Sequence, residues 1–243
     1  MSNELFLAHA RAVLKRSPRD LEGALNFVFD FHVGDFRIAP IQIRSEIRNL
    51  LARLETDRPS TVLEIGTARG GTLFLFTRVA ADDATLMSVD LPGGKFGGSR
   101  KQHRHRLFMA FAHGKQRLEF LEADSHKDQT RQKIEELCGG RQVDFLFIDG
   151  DHSYEGVRRD YELYSPLVRR GGVVAVHDIA PGPRELVGGV PRFWAEIRDS
   201  SSSQELVEDW EQGGYGIGVI QVDLRDERGV VPIQDRLGTR TQP

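Results

Sequence analysis

The stretch Thr61-Val-Leu-Glu-Ile-Gly-Thr-Ala-Arg-Gly-Gly-Thr72 decides how this chain is read. The apolar run Val62–Ile65, bounded by Pro59 and Gly66, predicts a buried parallel strand. Gly66, Gly70 and Gly71 follow, and then Leu73-Phe-Leu-Phe-Thr-Arg-Val-Ala80 predicts a helix. Strand, glycine-rich turn and helix in that order let a nucleotide-like ligand lie against backbone without meeting a Cβ. The spacing is Gly-x-x-x-Gly-Gly, not Gly-x-Gly-x-x-Gly, which counts against a dinucleotide pyrophosphate. Glu64, inside the strand, suits a cationic amine better than a phosphate.

Outward from this centre, further apolar runs end in ionisable groups. Thr85-Leu-Met-Ser-Val-Asp90 predicts a second strand, and a carboxylate at its end can accept from both hydroxyls of a ribose. Arg117 to Ser125 predicts a third strand that delivers Asp124 and Ser125. Phe145-Leu-Phe-Ile148 predicts a fourth, followed by Asp149, Asp151 and His152, and Val173-Val-Ala-Val-His-Asp178 a fifth. In open α/β sheets ligands bind at the carboxyl ends of such strands. Three ionisable groups after the fourth strand need a charge, metal or substrate to compensate them. Asp149 with His177 and Asp178 makes a candidate divalent-cation site of the kind hard cations favour.

Helical periodicity covers 4–16, 20–30, 40–54, 130–137 and 155–166, and a helix is expected from Phe193. Glu205–Trp210 and Tyr215–Val222 read as two late strands joined by a Gly213-Gly214 hairpin. Leu91–Gly98 is a glycine- and proline-dense loop leading into the basic run Ser99–Arg106. The loop is a candidate mobile cover, and the run is read as a solvated helix start. Phe27, Phe29, Phe31 and Phe36 form an aromatic cluster that suits a lid packed on the core, a wall of the acceptor pocket or an oligomer contact. Residues 223–243 are charged with little periodicity and read as a tail.

Composition narrows the classes. The apolar fraction of 39% fills one core, and a formal charge of −3 gives no electrostatic case for nucleic acid or a membrane surface. The single cysteine, Cys138, excludes an internal disulfide framework and fits a reducing cytoplasm. Neither a signal peptide nor a membrane-spanning apolar run is read. The expected organisation is an N-terminal helical extension or lid over 1–55, one ligand-binding domain over 56–222 and the tail.

Glu64-Ile-Gly-Thr-Ala-Arg-Gly-Gly71 after a strand resembles the first motif of class I S-adenosylmethionine-dependent methyltransferases. The longer wording resembles a bacterial branch related to cephalosporin-hydroxylase-like and macrolide-sugar O-methyltransferases, and Pro92-Gly-Gly-Lys-Phe-Gly-Gly98 resembles the same branch. The resemblance spans roughly residues 40 to 222 and implies a Rossmann-like α/β fold: a seven-stranded, mostly parallel sheet with a reversed last strand. It implies S-adenosylmethionine as cofactor, with Glu64, Gly66, Thr67, Ala68, Gly70, Gly71, Asp90, Leu91, Asp124, Ser125 and Asp149 around it. Asp124 and Ser125 are then expected at the adenine, and Gln42 and Glu46 are weaker candidates near the methyl-bearing end.

In the metal-assisted relatives an Asp after the fourth strand and an acidic or amide pair after the fifth hold Mg²⁺. Here Asp149, His177 and Asp178 stand at those places. His177 departs from the pattern, because imidazole suits Mn²⁺ or a softer ion better than Mg²⁺. A softer metal, His177 as a base or outer group, and a metal-free site all stay open. The expected reaction is methyl transfer to a hydroxyl of a small molecule, with His152 the first choice of base and Asp151 the second. The rival readings are a metal-independent N- or O-methyltransferase using His152, an NAD-dependent oxidoreductase, and a non-catalytic scaffold that binds the cofactor.

Overall fold

Residues 3–93, 103–198 and 203–222 are described by a computed structural model. Most of the expected 91–106 loop and basic run, and the whole 223–243 tail, lie outside the described residues. The N-terminal segment forms α1 (Asn3–Lys15) and α2 (Leu21–Asp30). Asp20 caps α2 by accepting from the Gly23 N–H at 2.8 Å, which satisfies one of the donors a helix start leaves open. A hairpin of β1 (His32–Val33) and β2 (Phe36–Arg37) follows, closed by Gly34-Asp35 with Gly34 at φ 57°.

Next comes α3 (Arg44–Asp57), which begins at Arg44 rather than the expected Pro40. The approach to it runs extended across the start of α4 (Gly71–Val79). A Cβ on Gly71 would sit 2.3 Å from the Ile38 carbonyl oxygen and 2.5 Å from the Pro40 nitrogen. Glycine there is required by the close passage of chain over chain.

The large sheet contains β3 (Thr61–Ile65), β4 (Thr85–Asp90), β5 (Arg117–Glu122), β6 (Val143–Ile148), β7 (Val168–His177), β8 (Ser203–Leu206) and β9 (Ile217–Gln221). Its order is β5-β4-β3-β6-β7-β9-β8. The strands β5, β4, β3, β6 and β7 pair in parallel, whereas β9 runs antiparallel between β7 and β8. The reversed last strand is therefore present, placed inside the sheet with β8 at the edge. The expected strand at 205–210 lies earlier, at Ser203–Leu206, and 207–216 is a loop rather than a tight hairpin turn.

Both faces of the central strands are covered, which is why β3, β4, β6 and the second half of β7 read as apolar runs rather than alternations. Val62, Phe145, Phe147 and Ala175 face one core with α1 to α4 and α5 (His103–Phe108). Leu63, Leu146, Ile148 and Val176 face the other, with α6 (Asp128–Cys138), α7 (Tyr154–Tyr164) and, beyond the short α8 (Arg184–Val187), α9 (Val190–Ile197). The N-terminal aromatics join the first core: Phe27 stacks on Phe74 at 5.4 Å, and Phe31 meets Phe36 edge-on at 6.1 Å. Of the three roles open to that cluster, these contacts supply packing on the core. Cys138 is buried at the end of α6, and burial pushes its thiol pKa up, as suits an inert side chain. Among the described residues no helix is long and apolar enough to cross a membrane.

Candidate active site

The sheet order reverses between β3 and β6, and at that switch point the carboxyl ends of neighbouring strands part to leave a crevice. Backbone bonds fix its floor: the Gly66 N–H donates to the Val89 carbonyl and the Asp149 N–H to the Ile65 carbonyl, each at 2.8 Å. Gly66 has φ 95°, and a Cβ there would lie 2.1 Å from the Asp149 carbonyl oxygen. Only glycine lets the two strand ends approach so closely. Above this floor opens a cavity of about 960 Å³, at the upper end of the ~300–1,000 Å³ range of small-ligand sites.

Of the residues expected around a cofactor, Gly66, Ala68, Asp90, Leu91, Asp124, Ser125 and Asp149 line this cavity. Glu64, Thr67, Gly70 and Gly71 are not on its wall. A Cβ on Gly70 would lie 2.5 Å from the Phe108 ring, so Gly70, like Gly71, makes room for protein rather than ligand. Glu64 is fully buried behind the turn, where Thr72 Oγ1 and Ser88 Oγ donate to its two oxygens. Thr67 Oγ1 bonds Ser88 Oγ in turn. Burial pushes the Glu64 carboxyl to a pKa of about 8 despite those donors. Its place is under the turn, as an internal brace.

Asp90 ends β4 with Oδ2 accepting from the Ala68 N–H at 3.0 Å, and Ala68 is held at φ 44°. Burial raises the Asp90 carboxyl to about 6, against the bonds it receives from the Ala68 and Leu91 N–H groups. At the end of β5 Asp124 Oδ1 accepts from the His126 N–H at 2.9 Å, which shapes the 124–126 turn. The Ser125 carbonyl accepts from Tyr164 Oη at 2.6 Å.

A charged cluster adjoins this cavity, with Asp149 and His152 on its wall. Asp149 Oδ2 accepts from Gln42 Nε2 at 2.7 Å, and its Oδ1 lies 3.0 Å from His177 Nδ1 and 3.5 Å from His152 Nε2. His152 Nδ1 is 3.1 Å from Asp178 Oδ2 and 2.5 Å from the Leu186 carbonyl oxygen. The donor atoms of Asp149, His152 and Asp178 lie within 4.8 Å of one another. This is the set that converges as a candidate cation site among the described residues. The expected set had His177 in place of His152; His177 instead lies buried behind the two carboxylates, its Nε2 without a hydrogen-bond partner among the described residues.

Burial opposes charge on Asp149, but the imidazoles of His177 and His152 outweigh it and hold the carboxyl well below its ordinary range. The same pairing raises His177 well above an ordinary imidazole, and His152 to about 9, in each case against burial. The choice of His152 as base assumed an ordinary imidazole titrating near neutrality. Between two carboxylates and with no cation beside it, His152 holds a proton more tightly than an ordinary imidazole; a divalent cation ligated by His152 would displace that proton. Asp151 stays on the cavity wall, exposed, with Oδ1 accepting from the Ser153 N–H at 2.8 Å at the start of α7. A second, smaller cavity of about 80 Å³ adjoins the cluster and shares Ala68, Asp149, His152 and Leu186 with the first.

One pair of residues was not singled out from sequence. His126 lines the cavity with Nε2 3.4 Å from Asp160 Oδ1, and Asp160 is wholly buried on α7. The signal was available: Asp160 interrupts the stripe Val157, Tyr161, Tyr164. Gln42, a weaker candidate in the sequence, reaches the site by its bond to Asp149, more than a hundred positions away.

The residues present suit both implied groups. Carboxylates at the ends of β4 and β5 face a cavity large enough for an adenosyl ligand. Two carboxylates and one imidazole converge as a borderline-to-hard divalent cation requires. Comparison with known proteins bears on the first of these groups. Residues 63–179 match the family model described as Methyltransferase domain.

A Sinorhizobium fredii protein described as uncharacterized is 32% identical over 58% of this chain and 15% of its own length. An uncharacterized protein of Acanthamoeba polyphaga mimivirus is 29% identical over 54% of this chain and 57% of its own. The chain thus matches only part of the length of these two curated relatives. Among solved structures, the Streptomyces achromogenes O-methyltransferase TomG, in complex with SAM and involved in tomaymycin synthesis, superposes with TM-score 0.55. Its identity is 17%, over 92% of this chain and 99% of that one. A Bacillus cereus O-methyltransferase in complex with SAH gives TM-score 0.54 at 19% identity, over 90% and 99% of the two chains. At such identities the likeness is one of fold. Residues 63–179 thus match the methyltransferase-domain family model, on a chain with the Rossmann-like fold of these O-methyltransferases.

Proposed function

We propose that the chain transfers a methyl group from S-adenosylmethionine to a hydroxyl of a small molecule, with a divalent cation held by Asp149, His152 and Asp178. The observation that carries this reading is that Asp149 and His152 of the cation-type cluster lie on the wall of the same cavity as Asp90, Asp124 and Ser125. S-adenosylmethionine, when bound, supplies a methyl group already activated as a sulfonium, so no covalent step falls to the protein. A divalent cation, when bound, lowers the pKa of a hydroxyl beside it.

The chain's own residues then have defined tasks. Asp90 accepts from the ribose hydroxyls, and its bond from the Ala68 N–H fixes the carboxylate at the turn. Asp124 and Ser125 meet the adenine edge. Gly66 keeps the floor low enough for the ligand to lie on backbone. Asp149, braced by Gln42 and His177, and Asp178, braced by the Tyr215 N–H, present oxygens fixed before any ligand arrives. Preorganisation of this kind aligns acceptor oxygen, methyl carbon and sulfur. The small second cavity, with Ile41, Val187 and Tyr215 on its wall, is the place for the apolar body of the acceptor.

The test is methyl transfer from labelled S-adenosylmethionine to a panel of hydroxylated acceptors, using metal-stripped protein with Mg²⁺ or Mn²⁺ added back. Transfer that requires the ion and disappears in Asp149→Ala supports the reading. Transfer indifferent to a chelator removes the cation from it, and labelling of amines alone removes the hydroxyl.

A further inference from the structure

Glu46 is a buried carboxylate with no task in the chemistry above. Only 1% of its surface is exposed, on the first turn of α3. Its Oε1 accepts from the Glu208 N–H at 3.1 Å and from Gln212 Nε2 at 2.7 Å, and its Oε2 accepts from the Gly216 N–H at 2.9 Å. All three donors come from the 207–216 connection between β8 and β9. No cation is among these partners; the carboxyl is held by N–H groups alone, an arrangement that rewards fixed geometry.

The connection so held ends against the cluster. The Tyr215 N–H donates to Asp178 Oδ1 at 3.1 Å, and the Tyr215 carbonyl accepts from the Ala180 N–H at 2.9 Å. Asp178 stands at φ 65°, Tyr215 at φ 62° and Gly216 at φ 82°. A tyrosine in the left-handed region is disfavoured and persists only where its surroundings over-determine it. Here those surroundings are the Asp178 and Ala180 bonds on one side and the Glu46–Gly216 bond on the other. Gln212 cross-braces the same turn, donating to the Gly214 carbonyl at 2.9 Å and accepting from the Asp209 N–H at 3.0 Å. Gln42, just before α3, holds Asp149 directly. Both carboxylates of the cluster are thus tethered to one segment, Asp149 in one step and Asp178 in two.

We infer that Glu46 is a positioning residue: through the 207–216 connection it fixes Asp178 opposite Asp149 and His152, and so sets the affinity of the cluster for a divalent cation. The inference rests on the cation-binding reading proposed above. The full chain, metal-stripped, is titrated with Mn²⁺, and separately with S-adenosylmethionine. Glu46→Ala weakens Mn²⁺ binding by about 10- to 100-fold, the usual effect of removing a residue behind a metal ligand. S-adenosylmethionine affinity is unchanged, because Asp90 and the glycine turn do not depend on the connection. Gln212→Ala, which removes one donor and leaves Glu46, weakens Mn²⁺ binding in the same direction and less. If Glu46→Ala does not fold, Glu46→Gln and Gln212→Ala carry the test.

Unchanged Mn²⁺ affinity overturns the inference, as does equal loss of both affinities, which marks a general lesion. If the wild-type chain binds no Mn²⁺, the cation reading fails, and the inference is decided by nitrogen NMR of the His152 and His177 imidazoles in metal-free protein. Signals that move in Glu46→Ala sustain the positioning of Asp178; signals that stay overturn it.

Discussion

At Asp90 the chemistry of recognition depends on a single proton. In the proposed reading its carboxyl, raised by burial to about 6, accepts from two ribose hydroxyls at once, which it does only when ionised. We predict that S-adenosylmethionine affinity is flat above neutrality and weakens as pH falls through about 6, approaching about tenfold per pH unit below it. Calorimetry between pH 5 and 8 measures this, and Asp90→Asn binds weakly with the slope gone. Glu64 makes a different statement, about stability. Its carboxyl moves from 4.5 to about 8 on folding. Between those values the folded chain keeps a proton that the unfolded chain has released, so the contribution of this group to stability falls as pH rises through that window. Above about 8 it levels off. Urea midpoints for the wild type and Glu64→Gln should therefore diverge in favour of the variant from pH 5 to pH 8; parallel curves would contradict the buried, proton-holding carboxyl. Residue identity made both acids legible as important, because each ends or interrupts an apolar run. What sequence could not supply was environment: Glu64 faces inward, and His152 lies between carboxylates on separate strand ends.

Among the elements, the central parallel strands were legible because burial on both faces leaves unbroken runs such as Phe145–Ile148 and Val173–Val176. The late strands were harder. The 207–216 connection is held partly by local bonds around Gln212 and partly by Glu46, over 160 positions away, which accepts from the Glu208 and Gly216 N–H groups, so the apolar residues of Val207–Trp210 read as strand and fold as loop. The β1–β2 hairpin did carry a signal, Gly34-Asp35 between Val33 and Phe36, which the aromatic cluster obscured. The Gly-Gly pair after β3 was seen correctly as a glycine requirement, but the reason lies in packing. Gly71→Ala drives a Cβ into Ile38 and Pro40 backbone, and we predict a loss of about 1–3 kcal/mol in denaturant unfolding. Limited proteolysis of the variant should cut the 31–43 segment faster than in the wild type. An unchanged midpoint would mean that the segment yields without resistance.

For the whole molecule, the order of strand ends was the strongest signal: Asp90, Asp124-Ser125, Asp149 and Asp178 arrive at one sheet edge because every parallel crossover returns the chain to the same side. The sequence therefore located the crevice before any contact was known. It could not foresee how far the N-terminal segment takes part, since Gln42 and Glu46 reach the cluster only through the folded chain. The central claim is that this crevice is built for S-adenosylmethionine. Its most direct test is calorimetric titration of S-adenosylmethionine, and separately NAD⁺, into the full chain and into Asp90→Ala. The account predicts one S-adenosylmethionine per chain in the wild type, binding lost in the variant and no heat from NAD⁺. Binding of NAD⁺, or S-adenosylmethionine affinity untouched by Asp90→Ala, would contradict it.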